Sequence, residues 1–98
     1  MIRIDFRPGD RYRIEFRGPR YAVDTWYRCG EWTDRAAAEA ELRALVGGEM
    51  GDLAQPGSEW RLGIVRDGEV VFAAARVRKT PYGFQDLVGC VVGGRRAA

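Results

Sequence analysis

Apolar and charged residues alternate almost without error through the first eighteen positions. Ile2, Ile4 and Phe6 interleave with Arg3, Asp5 and Arg7; after Pro8-Gly9-Asp10, Tyr12, Ile14 and Phe16 interleave with Arg11, Arg13, Glu15 and Arg17. A two-residue period sends successive side chains to opposite faces of a strand. This stretch therefore predicts a sheet with one buried apolar face and one wet face, on which Arg3, Arg7, Arg11, Arg13 and Arg17 gather.

Parity fixes the expected hairpin. A loop of Pro8-Gly9-Asp10 pairs Phe6 with Tyr12, Ile4 with Ile14 and Ile2 with Phe16, and sets Asp5 against Arg13 and Arg3 against Glu15 on the other face. A loop two residues longer opposes Asp5 to Glu15 and Arg7 to Arg13. Opposite charges across a strand pair help by about 0.2–1 kcal/mol and like charges cost a similar amount, so the shorter loop is expected. Gly9 and Asp10 both tolerate the left-handed backbone that such a loop uses.

Gly18-Pro19 interrupts the pattern, and Tyr21 to Cys29 reads as a third strand. It carries Tyr21, Val23, Thr25, Tyr27 and Cys29 on one side and Ala22, Asp24, Trp26 and Arg28 on the other. Thr33 is the expected N-cap of a helix from Asp34 to Val46, whose stripe is Ala38, Leu42, Leu45 and Val46. Gly47-Gly48 stops it. A polar loop from Glu49 to Ser58 follows, with Met50 and Leu53 expected to tuck inward.

Asp67-Gly68 is a strong two-residue turn signal between Trp60–Arg66 and Glu69–Val77. The implied register pairs Arg66 with Glu69 and Ile64 with Val71, and gathers Trp60, Leu62, Ile64, Val71, Ala73, Ala75 and Val77 on the core face. The other face holds Arg61, Val65, Val70, Phe72, Arg76 and Arg78. Lys79 to Gly83 is an expected loop. Residues 84–92 fit a strand or a helical turn, with a strand the preferred assignment. The expected fold is α+β: an antiparallel sheet of about four to six strands with one α-helix packed on a face, in the order β-β-β-α-β-β. Residues 1–92 are expected to form one domain, and 93–98 a flexible tail.

With 98 residues there is room for one core, and a chain of this size hides roughly 60% of its unfolded surface, enough to fold without cross-links. The net charge is only +2, but it is unevenly placed. Residues 1–20 carry +3, residues 31–59 carry −5 and residues 60–98 carry +4. Of sixteen basic residues only Lys79 is lysine. Arginine offers planar, bidentate hydrogen bonding and stacking that lysine lacks, although a GC-rich coding bias gives the same enrichment.

No motif in the chain carries chemistry. It has no histidine, so the commonest general base and metal ligand is missing. Ser58 is the lone serine, with no evident base, and Cys29 has no imidazole to activate it. Cys29 and Cys90 are expected as buried free thiols. Gly47-Gly48 follows a helix rather than preceding one, so it does not cradle phosphate. No catalytic, cofactor or metal site is expected, and the chain is read as a non-enzyme. Nothing resembles a signal peptide or a membrane span, which implies a cytoplasmic protein without membrane contact.

The arginine face is the candidate site: Arg3, Arg7, Arg11, Arg13 and Arg17, flanked by Arg28 and by Trp26 as a stacking ring. The expected function is non-catalytic macromolecular docking on a protein or a protein–nucleic-acid complex. Size, simple architecture and missing catalytic groups fit a phage or mobile-element accessory that inhibits a host machine, in the manner of anti-CRISPR proteins. The alternative is direct nucleic-acid binding through the same face; a homodimer seam or a merely solvated face with cross-strand ion pairs are the other readings.

Overall fold

The computed structural model describes residues 6–19 and 26–86. Five antiparallel strands form one sheet: β1 (Arg11–Arg17), β2 (Tyr27–Trp32), β3 (Glu59–Arg66), β4 (Glu69–Thr80) and β5 (Gly83–Asp86). Their spatial order is β2-β1-β3-β4-β5. Two helices, α1 (Arg35–Gly47) and α2 (Glu49–Leu53), lie between β2 and β3 in the chain. This is the α+β architecture the patterning implies, with the helix after the second described strand rather than the third.

The alternation in β1 does what its period dictates. Tyr12 and Ile14 are buried with Trp60, Leu62 and Ile64 of β3 and with Ala38 and Leu42 of α1, while Phe16, Trp32, Leu45 and Val46 pack around them. Burying side chains of this size stabilises the fold by about 1.5–3 kcal/mol each. Trp60 is fully buried and meets Phe16 at a ring-centroid distance of 5.2 Å and Phe84 at 6.1 Å. The helix starts one residue later than the sequence suggests. Asp34, not Thr33, is its N-cap, accepting a hydrogen bond from the Ala37 amide at 3.0 Å.

The strand partners of β1 are the main correction. Both of its edges are occupied, by β2 on one side and by β3 on the other. Tyr12 is therefore not paired with Phe6, and Arg13, Ile14 and Glu15 are flanked by β2 and β3; the other partners expected for β1 (Ile2, Arg3, Ile4 and Asp5) lie outside the described residues. The reason is charge and shape together. Pairing β1 with β3 sets Phe16 beside Trp60, Ile14 beside Leu62 and Tyr12 beside Ile64 on the helix side. On the far side it sets Arg17 beside Glu59 and Glu15 beside Arg61. Pairing with β2 adds Arg13 beside Glu31 and Glu15 beside Arg28. Every charged pair is of opposite sign, so the rule that favoured the short hairpin is satisfied more fully by distant partners.

The turn at Arg7–Asp10 does form, with Gly9 left-handed at φ 88° and the Asp10 amide donating to the Arg7 carbonyl. Asp67 (φ 53°) and Gly68 (φ 81°) make the second expected turn and keep Arg66 opposite Glu69. Beyond it, two bulges shift the ladder. Ile64 faces Phe72 instead of Val71, and Ala73 faces Gly63 on the arginine side. Val71 is left exposed, while Phe72 packs on the core. A bulge re-aims side chains in this way because the extra residue breaks the two-residue period.

Three further expectations change. The segment after α1 contains a short helix, and Met50 and Leu53 are exposed rather than tucked in. The loop expected at 79–83 is a tight turn between β4 and β5, with Thr80 opposite Gly83. The expected strand over 84–92 is present as far as Asp86, and the rest lies outside the described residues. Of the strand expected over Tyr21–Cys29, residues 21–25 lie outside the described residues, and β2 begins at Tyr27 and runs on to Trp32. Among the described residues no helix is long and apolar enough to cross a membrane.

Candidate functional site

The face of the sheet away from α1 is built from the odd-numbered positions of β1 and β3 and their neighbours. Arg11 Nε donates to Glu31 Oε1 at 2.8 Å, and Arg13 Nε to Glu31 Oε2 at 2.9 Å. Arg13 also approaches Glu15, and Arg61 Nε donates to Glu15 Oε1 at 2.7 Å. A second chain of ion pairs runs beside the first. Arg17 Nη2 donates to Glu59 Oε1 at 2.8 Å, and Arg76 binds Glu59 Oε2 through Nε at 2.8 Å and through Nη2.

Trp26 joins the two chains. The Arg17 guanidinium carbon lies 4.7 Å from its ring centroid and that of Arg61 lies 4.1 Å away. Contacts of this kind contribute about 0.5–1 kcal/mol at exposed sites and more when desolvated. Beside the ring is an open groove of about 300 Å³ lined by Arg17, Trp26, Arg61, Val71, Ala73 and Arg76. Arg61 and Arg76 are direct cross-strand neighbours at its edge. Each turns to a different carboxylate, Glu15 or Glu59, which relieves their mutual repulsion.

The candidate residues named from sequence separate into groups. Trp26, Arg11, Arg13 and Arg17 are brought together on this face. Arg28 stands on β2 opposite Glu15 and is exposed. Arg7 sits at the Pro8-Gly9 turn, where its amide donates to Asp10 Oδ2 at 2.8 Å. Arg3 lies outside the described residues. The expectation that every arginine of β1 points into water needs correcting for Arg13. Its side chain is only 10% exposed, because Glu31 and Glu15 draw it down onto the sheet.

Sequence reading missed the importance of Glu59. It falls between the polar loop expected to end at Ser58 and the strand expected to begin at Trp60; the structure puts it at the start of β3, with its side chain 2% exposed and clasped by Arg17 and Arg76. The usable signal was the run Glu59-Trp60-Arg61, whose charges and apolar centre complement Glu15-Phe16-Arg17 in antiparallel register. Arg61 and Arg76 were expected on the basic side of the second hairpin, and that is where they stand.

Burial alone would raise the Glu59 pKa, but hydrogen bonds from Arg17 and Arg76 outweigh it and hold the carboxyl below its ordinary value. Hydrogen bonds from Arg11 and Arg13 lower that of Glu31. Asp10 is lowered chiefly by Arg66, which grips it through two bonds of 2.7 and 3.0 Å. These carboxylates are held ionised. Cys29 behaves oppositely: burial, and then the nearby Glu15, push its thiol pKa up. An activated nucleophile requires the reverse. Among the described residues no group of three or more Cys, Asp or Glu side chains is placed to hold a metal ion.

Comparison with protein-family models, with curated proteins and with solved structures returned no match.

Proposed function

We propose that this chain is a non-catalytic binding protein that docks on another macromolecule through the arginine face of its sheet. The observation that carries the reading is Trp26 held against two guanidiniums at the edge of an open groove. Tryptophan and arginine are the side chains most enriched where binding energy concentrates, especially when neighbouring groups fix them in place. Here Glu15 and Glu59 do the fixing. The carboxylates of this face are tied up by arginine, which suits it to recognition rather than to proton transfer. An accessory role that blocks or adapts a larger machine, of the phage-inhibitor kind, is part of the proposal and rests on small size and simple architecture.

Comparative capture from a host lysate tests it. The wild-type chain, Trp26→Ala and Arg61→Glu are immobilised after circular dichroism shows that all three are folded. A partner retained by the wild type and lost by both variants is the expected result; identical capture by all three overturns the reading. A gel shift with DNA and RNA at low salt separates the alternative. A nucleic-acid interface gives a shift that weakens steeply as salt rises.

A further inference from the structure

We infer that the groove beside Trp26 takes an acidic protein segment, seating one apolar side chain on Val71 and Ala73 with a neighbouring carboxylate between Arg61 and Arg76. The inference rests on the docking reading above and names the chemistry of the partner.

Charge is the first argument. Among the described residues this face brings five guanidiniums (Arg11, Arg13, Arg17, Arg61, Arg76) onto three carboxylates (Glu15, Glu31, Glu59), each carboxylate shared between two arginines. Arg61 and Arg76 stand directly opposite one another. A ligand carboxylate placed between them gains charge-assisted hydrogen bonds from a face that carries two guanidiniums more than it has carboxylates. The second argument is the groove floor. Val71 is 45% exposed although it is a large apolar residue in the middle of a sheet. The bulge that moved Phe72 to the core placed Val71 there. Its volume of about 300 Å³ is at the small end for ligand pockets, so it suits a single side chain better than a cofactor.

The same geometry argues against single-stranded nucleic acid. Such binding depends on stacking bases against bare aromatic faces, and the Trp26 ring is already engaged by Arg17 and Arg61.

The test is NMR titration of the intact chain, following the Trp26 indole N–H and the Arg61 and Arg76 Nε–H signals. The probes are a short peptide alternating Glu and Leu, an all-Glu peptide of equal length and an oligo-dT of matched charge. The mixed peptide is expected to move all three signals, and Arg76→Ala to weaken it about tenfold. Val71→Ser, which removes the apolar floor without adding a charge beside Arg61 and Arg76, is expected to bring the response to the mixed peptide down to that of the all-Glu peptide. Equal shifts with the all-Glu peptide overturn the apolar seat. A response to oligo-dT alone overturns the inference but leaves the docking face standing. Silence toward every probe also overturns it, and the capture experiment then decides the docking reading separately. Self-association on concentrating the chain, abolished by Arg76→Ala, assigns the groove to a second copy and overturns it too.

Discussion

Arg17 and Glu59 face each other across the seam between β1 and β3, with Arg17 Nη2 donating to Glu59 Oε1 at 2.8 Å. The carboxylate side chain is 2% exposed and the arginine 27%. The pair is therefore asymmetric: the arginine keeps contact with water, whereas the carboxylate depends entirely on its two guanidiniums.

Removing that carboxylate has a larger effect than a surface charge change. Glu59→Ala leaves Arg17 and Arg76 side by side over a hole, and breaking a buried pair from one side costs about 3–5 kcal/mol. Because both arginines retain partial access to water, about 2–3 kcal/mol is expected here. Glu59→Gln keeps the acceptor oxygen and should lose less. Urea unfolding followed by circular dichroism measures both; a change below about 0.5 kcal/mol for the alanine variant would place Glu59 among ordinary surface residues.

Stability should fall on the acid side. Asp10, Glu31 and Glu59 all have folded pKa values below their ordinary ones. The folded state therefore binds protons less readily than the unfolded chain. Their contribution is complete above the ordinary carboxylate range and is lost as pH drops through the folded values. Unfolding free energy should be flat on this account above about pH 5 and decline below it. Glu59→Gln should flatten part of that decline, as thermal melts across the acid range will show; an acid limb unchanged in the variant rules out a contribution from Glu59.

Gly63 is constrained by space. A Cβ added there would lie 2.6 Å from Cγ1 of Val70, which crosses over the glycine. Gly63→Ala is expected to destabilise by about 1–3 kcal/mol, the usual range for overpacking. The pair Gly63→Ala with Val70→Ala should recover part of the loss. Additive effects in a double-mutant cycle would show that the two positions do not press on one another.

Trp26 and Arg61 should couple. With the guanidinium 4.1 Å from the ring centroid, a double-mutant cycle of Trp26→Ala and Arg61→Ala is expected to return an interaction of about 0.5–1 kcal/mol. A coupling indistinguishable from zero would mean that the stacked arrangement adds nothing to stability in solution.

Much of this was legible in the residues. The alternation of Tyr12, Ile14 and Phe16 with charged neighbours assigned the two faces of β1, and Trp60, Leu62 and Ile64 did the same for β3. Asp67-Gly68 announced its turn because few other residue pairs accept positive φ at both positions. Partner choice was not legible by the same means. The nearest stretch of complementary pattern in the sequence is residues 2–6, yet β1 pairs with residues 27–32 and 59–66, because matching of apolar faces and charge signs outweighs proximity. Bulges were hidden as well. Nothing local in Val70-Val71-Phe72 marks which residue loses its partner; that depends on Gly63 letting Val70 lie across it. The site was visible in outline through Arg11, Arg13, Arg17 and Trp26, but its centre needs Glu59, Arg61 and Arg76, which meet only once distant strands are side by side.

The anchoring of Arg13, Arg61 and Arg76 by shared carboxylates bears on how this face would greet a visitor. Long flexible arginines ordinarily surrender much rotational freedom when they are gripped, which erodes affinity. These have surrendered it already, during folding. Their contours are set before any encounter, so that association resembles fitting into a finished mould, and discrimination between visitors falls to shape as much as to charge.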